Sequence, residues 1–114
     1  LPAALGVDEA RWAAHAQAFG LGPHLAKPLY MLSTGSRRKV WRAAALASTR
    51  ALTLLDEPTG ALDAPSVAHL MRALEDLAER RDRIVIVASS QPLPESITPA
   101  ATISLPIHGA TLTR

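Results

Sequence analysis

Two short, largely apolar runs separated by an amphipathic segment constrain the fold most strongly. Leu52–Asp56 and Ile84–Ala88 have the length and composition of buried strands in a parallel sheet. From Pro65 to about Arg80, apolar residues recur at the spacing of a helix that faces a core. The order strand, helix, strand favours a right-handed parallel crossover. The sequence therefore predicts an α/β fold built on a parallel sheet.

Two adjacent carboxylates follow the first apolar run. Asp56 and Glu57 end the strand, and Pro58 breaks the backbone after them. Open α/β sheets bind their ligands at the carboxyl ends of their strands. Aspartate followed by glutamate suits a metal ligand beside a base that orients water. A strand that ends in a polar turn is the alternative, and these residues alone leave both interpretations open.

A run of small residues, LSTGS at 32–36, precedes three basic residues at 37–39. Ser33 or Thr34 can cap a helix that continues to about Ser48. Small residues and Gly35 at the helix start leave backbone N–H groups exposed, which suits a phosphate. The alternative is a capped helix with a solvated basic first turn. Because cations there oppose the helix dipole, we expect these side chains to have another partner.

The two ends of the chain predict simpler elements. An Ala-rich segment from Asp8 to Phe19 predicts a helix that Asp8 caps and that ends at Gly20. Its residues Trp12, Ala16 and Phe19 share one face, which we expect to pack against a core. Near the other end, the runs Thr102–Leu105 and Ala110–Thr113 around His108-Gly109 predict a hairpin.

In this order and spacing, the motifs resemble those of the ATP-binding cassette (ABC) ATPases. In that family the signature sequence LSGGQ precedes a Walker B strand, and a D-loop follows it. The resemblance covers Leu32 to Asp63 and implies an α/β fold that is part of a P-loop NTPase (RecA-like) core. It implies that Asp56 is a magnesium ligand and that Glu57 is the general base for the water that attacks ATP.

The same resemblance assigns residues that contact the nucleotide. Ser33, Thr34, Gly35 and Ser36 fall at the signature positions, although Thr34 and Ser36 stand where the family has Gly and Gln. These positions contact the γ-phosphate held by the opposite subunit. Asp63, with the two residues before it, falls in the D-loop.

The strand tip after Ile84–Ala88 departs from the family. The family places a switch histidine there, whereas this chain has Ser90, with Gln91 next to it. Either side chain can bind a phosphate, but neither can carry the charge of an imidazole. Two hypotheses therefore remain: an ATP-hydrolysing transporter subunit, and a non-hydrolysing regulatory cassette that acts as an ATP-gated interaction module. A helical interaction domain without nucleotide is a third.

The motif G-x-x-x-x-G-K-[ST] of a phosphate-binding loop is absent from the sequence, whose only lysines are Lys27 and Lys39. The chain therefore resembles the second half of a cassette. Residues 1–48 would form a partial helical subdomain and residues 49–114 the C-terminal part of the ATPase core. We expect that this piece alone does not bind ATP and that its exposed apolar strand edges promote pairing with another chain.

Composition and resemblance together suggest the partners. A formal charge of +2 is too small to indicate nucleic acid binding, and no apolar run approaches the roughly 20 residues that span a bilayer. The chain opens on Leu1 rather than Met, as expected for part of a longer protein. The resemblance implies a second cassette and a transmembrane transporter subunit as partners, at the cytoplasmic face of the cell membrane. Arg83–Leu93 is similar to the haem-exporter ATPases of cytochrome c maturation.

Overall fold

A computed structural model describes residues 6–105 and 111–113, and there the chain forms helices packed on one side of a small sheet. None of the described helices is long and apolar enough to cross a membrane. Short 3-10 turns occupy Gly22–His24 and Leu29–Met31. The elements are α1 (Glu9–Ala18), α2 (Thr34–Leu46), β1 (Leu52–Asp56), α3 (Ala64–Ala78), β2 (Ile84–Ala88), β3 (Thr102–Ser104) and β4 (Thr111–Thr113).

The two predicted strands pair in parallel, with α3 as their connection. Leu52 lies opposite Ile84, and Asp56 lies opposite Ala88. Both strands have the predicted bounds, because each apolar run is closed by residues that leave the strand conformation. The parallel pairing places the carboxyl ends of both strands at one edge of the sheet, where Asp56 and Glu57 were expected to act.

Each of the three described helices begins at a residue whose side chain caps it. Asp8 accepts a hydrogen bond from the Arg11 amide at 2.9 Å, as predicted for α1. Ser33 caps α2, and Asp63 caps α3. These oxygens satisfy amides that have no partner within the first helical turn, which fixes where each helix starts.

The helices end slightly earlier than predicted. Helix α2 ends at Leu46 rather than Ser48, because the Ser48 amide bonds the Ala45 carbonyl at 3.3 Å, a three-residue spacing that closes the last turn. Helix α3 ends at Ala78 instead of Arg80. At the far end of the chain, β3 and β4 pair antiparallel, which confirms the hairpin. The predicted turn at His108-Gly109, together with Ala110, lies outside the described residues.

A single apolar cluster joins the helices to the inner face of β1. Within α1, Ala16 and Phe19 are buried and Trp12 is half-buried, as the predicted face requires. The cluster runs without a break across residue 48, and the division into two subdomains at that point stays a prediction. Its buried members are Ala16, Phe19, Leu21, Leu32, Val40, Ala43, Leu46, Leu55, Leu70, Ala73, Leu74 and Ile97.

The expectation of fully buried strands is wrong for this chain. Leu52, Leu54, Ile84 and Ile86 are 52–67% exposed on the outer face of the sheet. The physical reason is that the described helices cover only the inner face, whereas a parallel sheet normally has cover on both. The outer face is therefore an apolar surface. The self-association expected from the strand edges stays a prediction.

A buried arginine ties the end of α2 to the sheet. The Arg83 guanidinium donates to the carbonyls of Ala45 at 3.0 Å, Leu46 at 3.2 Å and Ser48 at 3.0 Å, and also to the Thr53 hydroxyl. Arg83 is 8% exposed. One side chain thus donates to three carbonyls at the end of α2, of which that of Ala45 also accepts from the Ser48 amide, and it fixes the helix end against β1.

We predict that Arg83→Met lowers the free energy of unfolding by about 3 kcal/mol, since buried carbonyls would lose their donors. Urea denaturation of the two proteins measures the difference. The matched control is Arg81→Met, because Arg81 is exposed and should change stability by less than about 0.5 kcal/mol. Equal losses in both variants would contradict the structural role of Arg83.

A pair of histidines joins α1 to α3. His15 Nδ1 lies 2.8 Å from His69 Nε2, and the rings of Phe19 and His69 pack nearly perpendicular to each other, with centroids 5.0 Å apart. Burial lowers the pKa of His15 below its ordinary 6.5, as do the charges of His69 and Arg11. Burial also lowers the pKa of His69, with a further contribution from Arg72. One ring must stay neutral to accept the hydrogen bond.

We predict that the chain loses stability as the pH falls below about 6.5, because the unfolded state then binds more protons than the folded state. Urea midpoints measured at about pH 7.5 and about pH 5 should differ in the wild type. They should differ less in the double variant His15→Gln/His69→Gln. His24→Gln is the control and should keep the wild-type dependence. An unchanged dependence in the double variant would contradict this assignment.

Candidate functional site

The two strand tips bring the predicted carboxylates and Ser90 together. Glu57 Oε1 accepts a hydrogen bond from the Ser90 amide at 2.6 Å. Asp56 is the last residue of β1 and is exposed. The tips of the two strands therefore meet through Ser90 and Glu57, the residue after Asp56.

The backbone of Glu57 adopts the left-handed conformation, with φ of 43°. A residue with a side chain is strained there, at a cost of roughly 1–2 kcal/mol. Two backbone bonds hold it: its amide donates to the Ala88 carbonyl at 2.7 Å, and its carbonyl accepts from Gly60 at 3.0 Å. The turn after β1 is thus fixed in a conformation that its own residues do not prefer.

Ser89 shapes the other strand tip, a role that the sequence did not indicate. Its hydroxyl donates to the Gln91 carbonyl at 2.8 Å and accepts from the Gln91 amide at 3.2 Å. This small turn presents the Ser90 amide to Glu57. The side chains of Ser90 and Gln91 are exposed and make no hydrogen bond with the described part of the chain.

The start of α2 forms a second group. Ser33 Oγ accepts from the Ser36 amide and donates to Ser36 Oγ, both at 3.1 Å. Thr34, the first helical residue, is exposed. A Cβ added at Gly35 would lie 3.5 Å from the Ala61 carbonyl oxygen, an ordinary contact, so packing within the chain does not require glycine there. The loop that contains Ala61 lies directly beside this helix start.

An ion pair joins α2 to the residue that caps α3. Lys39 Nζ lies 2.8 Å from Asp63 Oδ2, while Asp63 Oδ1 accepts from the Ser66 amide at 2.9 Å. The Lys39 hydrogen bond, followed by those from Ser66, holds the pKa of Asp63 well below its ordinary value. The expectation that the basic residues after LSTGS have a partner is confirmed for Lys39.

Arg42 links α2 to the turn that carries the carboxylates. Its Nε donates to the Pro58 carbonyl at 3.0 Å, and its Nη2 lies 3.3 Å from the Asp56 carbonyl oxygen and 3.4 Å from that of Glu57. No motif in the sequence singles out this residue. Its position three residues after Lys39 is the available clue, since that spacing places both cations on one helix face.

The described residues fit magnesium and ATP only in part. No group of three histidine or acidic side chains in residues 6–105 could hold a metal ion by itself. Magnesium is commonly held by one or two carboxylates together with waters and phosphate oxygens, and exposed Asp56 can supply one such ligand. Both lysines already have side-chain partners, Lys27 with His24 at 3.3 Å and Lys39 with Asp63.

Comparison with curated proteins finds relatives that share a function. The chain is 43% identical over 72 residues to the cobalamin import ATP-binding protein BtuD of Halobacterium salinarum. It is 35% identical over 68 residues to the iron(3+)-hydroxamate import ATP-binding protein FhuC of Bacillus subtilis. An uncharacterized ABC transporter ATP-binding protein of Mycobacterium tuberculosis is 41% identical over 83 residues. No protein-family model matches the chain.

These alignments cover more of this chain than of the relatives. They span 60%, 60% and 72% of the chain, but only 17%, 25% and 12% of the three relatives, in the same order. The α/β fold with its parallel strands agrees with a part of a P-loop NTPase domain. The sequence matches and the fold therefore support the resemblance to the ATP-binding proteins of ABC transporters, of whose length the alignments span a quarter or less.

Proposed function

We propose that this chain supplies the Walker B strand, the D-loop and the signature segment of an ATPase subunit that powers a transporter. The observation that carries the proposal is the contact between Glu57 and the Ser90 amide. It joins the tips of two parallel strands at the edge of the sheet where such folds bind ligands. ATP and magnesium are the cofactors that this function requires.

Glu57 is the proposed general base. The Ser90 amide holds one carboxylate oxygen, which leaves the other free to accept a proton from water. Asp56, exposed beside it, is the proposed magnesium ligand. Bound magnesium would neutralise charge on the phosphates. The side chains of Ser90 and Gln91 are exposed and can donate hydrogen bonds to a phosphate oxygen, in place of the family's histidine.

The start of α2 is the proposed contact for a γ-phosphate held on another cassette. Helix N-termini favour anions. Packing within the chain does not require glycine at position 35, which is consistent with a ligand from another chain approaching the backbone there. A phosphate at Ser33 would compete for the hydroxyl proton that now goes to Ser36. Thr34 can add a hydroxyl donor, and Asp63 anchors the loop beside them.

The proposed partners are a second cassette and a transmembrane transporter subunit, with the complete protein at the cytoplasmic face of the membrane. Signature residues that bind a phosphate in trans require the second cassette. The relatives are named for different cargoes, cobalamin and iron-hydroxamate, so their names assign no cargo to this chain. The similarity of Arg83–Leu93 to haem exporters stays a prediction.

We predict that Glu57→Gln slows single-turnover ATP hydrolysis by about 100-fold or more in the ATPase that contains this chain, because loss of a general base typically costs that much. ATP binding should remain, since the amide keeps the hydrogen bond to Ser90. Quench-flow measurement with radiolabelled ATP gives the rate, and Glu79→Gln on the exposed end of α3 is the matched control. A wild type no faster than the Glu57 variant would instead support a regulatory, non-hydrolysing cassette.

We also predict that the 114-residue chain alone binds ATP too weakly to detect by isothermal titration with magnesium. Its sequence contains no phosphate-binding loop, and both lysines are engaged with other side chains. Titration of the same chain with magnesium alone is the control for heats of dilution. Micromolar affinity for ATP would contradict this prediction.

A further inference from the structure

We propose that Arg42 is a positioning residue for Glu57. The proposal rests on the function proposed above, and the contacts that support it lie wholly within this chain. Arg42 reaches from the middle of α2 to three successive backbone carbonyls, those of Asp56, Glu57 and Pro58. No other side chain in the described residues bonds to the backbone of that turn.

The turn needs such a contact because Glu57 is strained. Its left-handed backbone would relax toward a commoner conformation if its neighbours allowed it. The Ala88 carbonyl fixes the Glu57 amide, and the Gly60 amide fixes the Glu57 carbonyl. These two bonds do not involve the next carbonyl, that of Pro58. Arg42 binds it, in its shortest contact with the turn, at 3.0 Å.

The conformation of the turn decides where the carboxylate points. With φ of 43°, Glu57 directs Oε1 at the Ser90 amide, 2.6 Å away. Relaxation of the backbone would rotate the Cα–Cβ bond and separate this pair. A displacement of about 1 Å in a catalytic group can lower a rate by as much as 100-fold.

The environment of Arg42 suits a fixed contact. Its side chain is half-buried, and burial lowers its pKa, as does the nearby charge of Arg38, while Asp56 raises it. Guanidinium remains charged throughout the physiological range, so the contact does not depend on pH. The planar guanidinium can donate hydrogen bonds to more than one carbonyl at once, which an ammonium group does less well.

Arg42 also connects the two groups of site residues. It stands eight residues after Thr34, which places it about 12 Å along the axis of α2 from the helix start. The same rigid helix therefore carries the signature segment at its first turn and the support of Glu57 at its third. A tilt of α2 on contact with a phosphate would move both.

Kinetics of the complete ATPase test the proposal. Arg42→Met should lower kcat about tenfold or more, with KM for ATP changed less than about twofold, because ground-state binding does not use Glu57. Arg42→Lys should recover part of the loss, since its ammonium can still donate to the Pro58 carbonyl. Arg81→Met, an exposed arginine outside both groups, is the matched control and should behave as wild type.

A double variant separates positioning from a general loss of structure. If Arg42 acts through Glu57, Arg42→Met should cause no further loss of rate in the Glu57→Gln background. An equal fold loss in both backgrounds would overturn the proposal, as would wild-type kcat in Arg42→Met. Should Arg42→Met fail to fold, the comparison is made with Arg42→Lys in both backgrounds.

A second readout does not depend on hydrolysis. Hydrogen exchange of the Ser90 amide, which donates to Glu57, should be faster in Arg42→Met than in wild type, while amides within α3 keep their protection. Unchanged Ser90 exchange would overturn the positioning role. An inactive wild type with faster Ser90 exchange in Arg42→Met would contradict the proposed function and leave the role of Arg42 in the turn supported.

Discussion

The hydrogen bonds from Arg83 to the end of α2 are the contact on which the arrangement of helix and sheet depends. A guanidinium with 8% exposure needs partners for its donors, and the three carbonyls at the helix end accept from both Nη atoms, whereas Nε has no partner in the described residues. The same bonds remove the cost of unpaired carbonyls beside an apolar cluster. Because Arg83 immediately precedes β2, this contact fixes α2 relative to the strand whose tip meets Glu57.

Helix α2 consequently organises the site along its length. Its first turn displays the residues of the signature segment, and Lys39 holds the residue that caps α3. Arg42 then reaches the turn after β1, and Arg83 secures the end of the helix. Salt bridges on a surface contribute little stability. We therefore infer that the ion pair of Lys39 with Asp63 mainly positions the loop that ends at Asp63.

Much of the fold and part of the site could be predicted from the sequence. Short apolar runs closed by breakers located β1 and β2, and helical spacing of apolar residues together with capping residues located the three helices. Parallel topology was predicted and explains why Glu57 meets the second strand tip, although the contact itself was not predicted. Arg42 and Arg83 were not predicted, since an arginine bonding to distant backbone carbonyls leaves no periodic pattern. The exposed face of the sheet was missed because apolar composition does not say whether a cover is present.

On the proposed function, the contacts within the chain show which part of the site this chain sets by itself. Everything that orients Glu57 lies in the described residues: the Ala88 carbonyl, the Gly60 and Ser90 amides and Arg42. Nothing in them cradles the α- and β-phosphates. On the proposed function, the position of the Glu57 carboxylate is therefore set independently of the residues that bind the α- and β-phosphates. Those residues would have to lie next to Glu57 at the same edge of the sheet. Strain at Glu57 is tolerable under those conditions because it is offset locally, by contacts that do not wait for ATP.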